Sequence, residues 1–146
     1  MTPVGTIHLA REILRNAKTI ATVGISKDPT KYAHQVPHYL QQQGYVIVPV
    51  NPTTTELLGM VAYPSLREIP ANIAQSIDVV EVFRPSGQIL QIVEETKDIR
   101  QHFGKPWAFW IQLGIIDEVA ATAAQAAGLS VVMDRCMMVE HKRMMG

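Results

Sequence analysis

The sequence has one cysteine among its 146 residues and no excess of either charge. Cys136 alone cannot form an internal disulfide, which fits a reducing compartment, and a zinc site built from several cysteines is excluded. Thirteen basic side chains balance thirteen acidic ones, so net charge gives no drive toward nucleic acid or an anionic membrane. We therefore expect neither nucleic acid nor a membrane as a partner.

Long apolar runs are also missing. None approaches the ~20 residues that a membrane-spanning helix needs, and the first residues lack the basic and apolar regions of a secretory signal, so we expect a cytoplasmic protein. A chain near this length buries about 68–70% of its unfolded surface and can form its own core. We expect one domain over residues 1–146, with a helix in 1–18 packed on it and a tail over 136–146 whose structure the pattern leaves unassigned.

Short apolar, β-branched runs alternate along the chain with segments of helical spacing. The predicted strands are 19–23, 45–50, 77–83, 107–111 and 130–133, with a short apolar segment at 60–62. The predicted helices are 7–17, 34–44, 65–69 (one turn), 89–103 and 118–128. This alternation is typical of a doubly wound α/β domain with a mainly parallel sheet of five or six strands.

Two prolines and two carboxylates lead to local expectations. Pro37 fits a helix only in its first turn, so that helix is expected to begin near His34. Pro49 cannot donate to a ladder, so strand pairing is expected to lapse near it. Asp78 and Glu81 lie three apart on a strand, on opposite faces, and are not expected to form a paired-carboxylate site.

The loop after the first strand is the leading candidate for binding an anion, because open α/β sheets bind ligands beyond the carboxyl ends of their strands. Gly24 permits a sharp turn, after which unpaired N–H groups and the next helix N-terminus can face a phosphate. Ser26, Lys27, Lys31 and His34 add donors. The loop lacks the glycines of a dinucleotide fingerprint and the Gly-Lys-Ser/Thr of a Walker A loop. A solvated turn with surface lysines is the alternative interpretation.

The following loops refine the kind of ligand. An NAD enzyme has Asp or Glu after the second strand, whereas this chain has Asn51-Pro52. This dipeptide could pack against one side of a ligand ring or form an ordinary turn. Arg84 leaves a strand tip, where it could clamp a phosphate, stack on a purine or simply lie on the surface. The histidines form no metal motif, and the sequence has no G-x-S-x-G elbow. Cys136 is expected to be a small buried hydrophobe rather than a redox group.

Together, five segments carry a resemblance to a known family: residues 23–34, 44–52, 78–85, 110–115 and 132–136. With these loops the sequence resembles the small CoA-binding proteins of the CoA-binding-domain family, whose fold is similar to the N-terminal domain of the succinyl-CoA synthetase alpha subunit. The resemblance covers nearly the whole chain.

The resemblance implies a Rossmann-like domain that holds the ADP part of coenzyme A at the carboxyl edge of the sheet. The implied binding residues are Gly24, Ile25, Ser26 and Lys27 in the phosphate loop, Asn51 and Pro52 at the nucleotide wall, Phe83, Arg84 and Pro85 where the pantetheine begins, and Gly114 and Cys136 in the remaining rim loops. The chain lacks the phosphohistidine domain and ATP-grasp partner of those synthetases, so no ligase activity is expected.

The favoured functional interpretation is a non-catalytic or regulatory module that binds CoA or an acyl-CoA. The alternative is an NAD(P)- or CoA-dependent enzyme that uses Cys136 or His34. A third interpretation, in which the methionine-rich tail contacts a protein partner, stays open, as does a homo-oligomer.

Overall fold

A computed structural model describes residues 3–146, with side chains described from residue 7 onward. Over this range the helices are α1 Pro3–Asn16, α2 Tyr32–Gln42, α3 Ala71–Ala74, α4 Ile89–Phe103, α5 Glu118–Ala126 and α6 Met137–Met145, with a 3₁₀ turn at Leu66–Glu68. The strands are β1 Thr19–Val23, β2 Val46–Val50, β3 Glu56–Leu57, β4 Met60–Val61, β5 Val79–Val82, β6 Ala108–Ile111 and β7 Ser130–Met133.

Five of these strands form a parallel sheet in the order β2-β1-β5-β6-β7. The doubly wound α/β prediction is confirmed. The chain leaves β1 through α2 to pair β2 on one side, and it later places β5 on the other side of β1. Strand order therefore reverses between β1 and β5, and a crevice opens beyond their carboxyl ends.

Apolar layers cover both faces of the sheet. On one face Val80 and Val82 pack with buried residues of α4 and α5, and on the other Val79 packs with buried residues of α1, α2 and α6. Every residue of β1 is buried, as expected for a parallel strand with both faces covered. None of the helices in the described part of the chain is both long and apolar enough to span a bilayer.

The expectation for Pro37 is wrong. The helix begins at Tyr32, which places Pro37 in the second turn rather than the first. Proline cannot donate to the carbonyl four residues earlier, that of Ala33, but the N–H of Ser26 donates to this carbonyl instead at 3.1 Å. The loop after β1 thus satisfies the acceptor that the proline leaves unpaired.

The expected lapse of pairing at Pro49 is also wrong, because the ladder with β1 continues to Val50. β2 is the edge strand of the sheet, and the carbonyl of Pro49 points away from β1 and accepts the N–H of Tyr63 at 3.0 Å. The missing N–H faces the same outer side, where proline is tolerated on an edge strand.

The other differences are at element ends and in short elements. The strands predicted at 77–83 and 107–111 are shorter, and the segment 60–62 belongs to a small antiparallel hairpin of β3 and β4 outside the main sheet. The unassigned tail forms α6, which packs against α1 and α2. Met137 at its start is fully buried, and His141 one turn later is nearly so.

Asp78 joins the amino ends of two strands. Its Oδ2 accepts the N–H groups of Lys18 and Thr19 at 2.9 and 3.1 Å, and its Oδ1 lies 2.8 Å from Lys105 Nζ. Burial raises the pKa of Asp78, but these hydrogen bonds and the charge of Lys105 outweigh it and hold the pKa below the ordinary value. Asp78 thus bonds to the backbone at the start of β1 and is ion-paired with Lys105.

Asp78→Asn is expected to lower the free energy of unfolding by about 2 kcal/mol near neutral pH, because hydrogen bonds to an ionised acceptor are lost. Asp98→Asn is the control, since its ion pair with Arg67 is more than half exposed on both sides and contributes less than about 1 kcal/mol. Since the folded pKa is lowered, the stabilisation by Asp78 is lost as the pH falls through that pKa. Urea denaturation at several pH values measures both effects, and equal losses in the two variants would contradict the prediction.

Candidate functional site

A cleft of about 480 Å³ opens beyond the carboxyl ends of β1, β2 and β5. Val23, Gly24, Val50 and Pro52 form one side of it, and Arg84 stands at the end of β5. The remaining lining residues are Pro64, Ser65, Leu66, Gly87, Gln88, Gln91, Ile92 and Glu95. We call it the nucleotide-side cleft after the resemblance given above, which implies the ADP part of CoA at this edge. It lies where the strand order reverses, the position at which open α/β sheets bind their ligands.

Gly24 allows β1 and β5 to approach each other at the base of this cleft. Its φ is +85°, and a Cβ added there would lie 2.6 Å from the carbonyl oxygen of Phe83 and 2.7 Å from Cδ of Arg84. The N–H of Gly24 donates to the Val50 carbonyl at 3.1 Å. A side chain at this position would need both a left-handed backbone and a shift of Phe83.

The loop after Gly24 is more fully bonded than the sequence pattern predicts. The N–H of Ser26 donates to Ala33, and that of Asp28 donates to the Ser26 hydroxyl at 3.0 Å. The N–H groups of Thr30 and Lys31 both donate to Asp28, one to the carboxylate and one to the carbonyl. The expectation of unpaired amides is therefore wrong for these four N–H groups.

The cationic side chains of the loop remain accessible. Lys27 and Lys31 are both exposed, and Lys31 lies directly before α2. His34 is half-buried and its Nδ1 lies 2.8 Å from the Ser26 carbonyl oxygen. Because a carbonyl can only accept, Nδ1 carries the hydrogen, and Nε2 is the acceptor of the neutral ring. The loop thus offers two ammonium groups and one ring nitrogen.

Asn51 connects the end of β2 to the same loop. Its side chain is buried, and its Nδ2 donates to the Ile25 carbonyl at 2.8 Å. Its Oδ1 accepts the N–H and the hydroxyl of Thr53, each at 2.7 Å. The side-chain amide that the sequence offered to a ring is used within the protein, whereas Pro52 is exposed and lines the cleft. The side chain of Ile25 packs in the core.

Arg84 is exposed, and the first residues of the next helix fix its direction. Its Nε and Nη2 lie 3.0 and 2.5 Å from Oε1 of Gln88, which directly precedes α4. This contact uses one edge of the guanidinium group and leaves Nη1 for a phosphate or another acceptor. Pro85 beside it is exposed.

A second cleft, of about 270 Å³, opens at the carboxyl ends of β5 and β6 and the start of α6. Two predicted residues, Phe83 and Cys136, line it. The other lining residues are Tyr32, Val36, Gln112, Leu113, Ile115, Met138 and Val139. Cys136 is partly exposed rather than buried as expected. Gly114 is in neither cleft lining, and its N–H donates to the Asp134 carboxylate at 2.7 Å.

Glu81 is a buried carboxyl group that the sequence pattern did not assign to any role. It accepts the Thr22 hydroxyl at 2.9 Å and the amide of Gln112 at 2.5 Å. The other end of Gln112 accepts the N–H of Met137 at 3.1 Å. Complete burial raises the pKa of Glu81 to about 7, although the two hydrogen bonds lower it in part. Its position between Val80 and Val82 in a strand of a two-sided sheet was a signal for this burial.

The described residues do not assemble into a metal site. Within this part of the chain no group of three or more histidine, cysteine, aspartate or glutamate side chains is arranged to hold a metal ion. The accessible groups at the carboxyl edge include cations, side-chain amides and apolar side chains, together with the Glu95 carboxylate in the lining of the first cleft. This set can bind a ligand that carries both phosphate and apolar parts.

Comparison with known proteins identifies the family. The sequence matches the CoA binding domain family over residues 18–142. The uncharacterized protein YneT of Bacillus subtilis is 40% identical over 131 residues, which are 90% of each chain. A Thermus thermophilus structure, cell-free ID.343, superposes with a TM-score of 0.83 at 40% identity, covering 94% of this chain and 98% of that one.

A larger protein shares the fold. An acetyl-coenzyme A synthetase of Candidatus Korarchaeum cryptofilum, solved with phosphate and ADP, superposes with a TM-score of 0.68 at 26% identity. The match covers 84% of this chain and 27% of the synthetase chain. The chain therefore belongs to the CoA-binding domain family, and its fold is the Rossmann-like CoA-binding fold found within that synthetase.

Gly24→Ala is expected to destabilise the fold by more than the left-handed conformation alone costs. Gly114→Ala is the matched control, because its φ of +84° is nearly the same but an added Cβ meets nothing within 4 Å. The control is expected to lose about 1–2 kcal/mol, and Gly24→Ala at least about 1 kcal/mol more, because backbone must move. Urea denaturation gives the comparison, and equal losses would show that the contact with Phe83 relaxes without cost.

Glu81 is expected to make stability fall as the pH rises. Its folded pKa of about 7 lies above the ordinary 4.5, so the folded state keeps a proton that the unfolded state releases between these values. The contribution of Glu81 is fully present below about pH 4.5 and loses about 3 kcal/mol by pH 8. In Glu81→Gln the amide can donate to Thr22 and accept from Gln112, so this variant should lack that loss. If the free energy of unfolding depends on pH in the same way in the wild type and in Glu81→Gln, the assignment is wrong.

Proposed function

We propose that the protein binds coenzyme A, free or acylated, with the ADP part in the nucleotide-side cleft. We also propose that residues 1–146 act as one CoA-binding domain. The main support is the cleft itself, which lies at the switch between β1 and β5 with Gly24 at its base and Arg84 at its mouth, in a chain of the CoA-binding domain family.

The chemistry of the donors fits the pyrophosphate and 3′-phosphate of CoA. Arg84 has Nη1 available for a phosphate oxygen, and Lys27 and Lys31 are exposed ammonium groups on the adjoining loop. Because four amides of the loop are bonded internally, we assign more of the anion binding to side-chain cations than the sequence pattern predicted. We assign Pro52, which lines the cleft, to packing against the adenine ring, and Asn51 holds the two loops together beneath it.

The residue at the end of β2 disfavours a nicotinamide cofactor. An NAD enzyme uses a carboxylate there to accept the ribose hydroxyls, and Asn51 has both of its polar atoms engaged by the protein. The proposed role is binding or regulation without catalysis. Catalysis that uses His34 or Cys136 would be the alternative if NAD(P) bound preferentially.

Isothermal titration calorimetry with CoA, NAD⁺ and NADP⁺ tests the proposal. CoA is expected to bind in preference to both nicotinamide cofactors. Lys27→Ala and Arg84→Ala should each weaken CoA by about 1–3 kcal/mol, or about 5- to 150-fold, through lost charge-assisted contacts. Lys97→Ala removes the same charge from an exposed position of α4 outside the cleft lining and should change affinity little.

The Lys97→Ala variant separates specific contacts from general electrostatic attraction, and the nicotinamide cofactors test the choice of ligand. Equal weakening in all three variants would indicate nonspecific electrostatics rather than a site. A clear preference for NAD⁺ or NADP⁺ would overturn the proposed function.

A further inference from the structure

The second cleft differs from the nucleotide-side cleft in its chemistry. Of the described residues that line it, none carries a charge, and most are aliphatic, aromatic or sulfur-containing. Leu113 and Tyr32 remain 64% and 73% exposed, which is unusual for large apolar side chains grouped at one opening. The lining has no charged group for a phosphate, and its apolar side chains form a favourable surface for a hydrocarbon chain.

The two clefts meet at the tip of β5. Arg84 lines the nucleotide-side cleft and Phe83, the residue before it, lines the second cleft. In the strand order the nucleotide-side cleft covers the ends of β2, β1 and β5, and the second covers those of β5, β6 and the connection after β7. Neighbouring strands lie about 4.8 Å apart, so three strand steps separate β1 from β7 by about 14 Å. An extended pantetheine arm can cross that distance along one edge.

The floor and one wall of the second cleft are fixed by buried hydrogen bonds. Gln112 is buried at its base, held by Glu81 on one side and by the N–H of Met137 on the other. The residues around Met137 that face the cleft are Cys136, Met138 and Val139. The wall formed by the start of α6 is thus tied to the centre of the sheet and does not depend on a ligand for its position.

We propose that this second cleft binds the acyl chain of an acyl-CoA, so that the preferred ligand is a thioester with several carbons beyond the carbonyl rather than free CoA. The inference rests on the proposed function, because the chain reaches the cleft only from a nucleotide bound on the other side of Arg84. The pantetheine arm then passes the tip of β5 near Phe83, and the hydrocarbon beyond the thioester is enclosed by Leu113, Ile115 and the start of α6.

Calorimetric titration with acetyl-CoA and hexanoyl-CoA tests the inference, because the two differ by four methylenes and share every other group. A buried methylene is worth about fourfold in affinity, so partial burial of the chain should make hexanoyl-CoA bind at least about tenfold more tightly. Leu113→Glu, which adds a charge to the wall, should reduce this ratio to about threefold or less. Val119→Glu adds the same charge at an exposed apolar position of α5 and should leave the ratio unchanged.

The lone cysteine gives a second, local readout. Cys136 lines the cleft and is partly exposed, so the rate of its alkylation by iodoacetamide reports on occupation of that space. Both thioesters lack a thiol that would consume the reagent. At saturating concentrations hexanoyl-CoA is expected to slow alkylation several-fold more than acetyl-CoA does.

The outcomes separate this inference from the proposed function. Equal affinity for the two thioesters would overturn the acyl site and leave CoA binding intact. A large ratio that survives in Leu113→Glu, or equal protection of Cys136 by both thioesters, would place the chain elsewhere and also overturn it. Failure of both thioesters and of CoA to bind would instead overturn the proposed function.

Discussion

The contact between Gly24 and the backbone of Phe83 determines where a ligand can enter this fold. With only a hydrogen at Gly24, the ends of β1 and β5 come together at the one place where the strand order reverses. Phe83 and Arg84 then leave the tip of β5 toward different clefts, one apolar and one lined by the Arg84 cation. A wider separation of the strand ends would change the position of both side chains at once. The site therefore depends on a backbone contact more than on any single ligand-facing group.

A buried polar network supports the same edge from below. Glu81 lies in the middle strand of the sheet, and its partners Thr22 and Gln112 come from the strand end on one side and the loop beyond the neighbouring strand on the other. Through Gln112 the network reaches Met137 and so fixes the start of α6. A protonated carboxyl satisfies these contacts without the cost of a buried charge. The side chains that form the second cleft are thus held in place by Glu81, and burial favours the neutral form of this carboxyl group.

The fold could be predicted from the sequence because its signals are local and repeated. The strand at 19–23 and the helix at 89–103 lie where the pattern placed them. The detail of the site could not be predicted, since it depends on long-range partners. From the sequence alone, the Asn51 side chain could contact a ligand. In the folded protein its amide is hydrogen-bonded to Ile25 and Thr53 instead. Helix α6 was missed because its four methionines were treated as an unusual composition and not tested for helical periodicity. The buried residues Met137 and His141 do lie at helical spacing.

The internal hydrogen bonds of the first loop change what a cation at the edge can contribute. Ser26, Asp28 and Asn51 use their polar groups on the protein, so the loop is ordered before any ligand arrives. A ligand that binds an ordered loop loses less binding free energy to the ordering of the protein. The contacts proposed for Lys27 and Arg84 would then contribute nearly all of their energy to the affinity. The same order explains why Pro37 is tolerated in α2, since the Ser26 amide that would otherwise face the cleft stabilises the helix instead. The proposed binding at this edge would therefore depend more on side chains, which can differ between related chains without any change to the backbone that presents them.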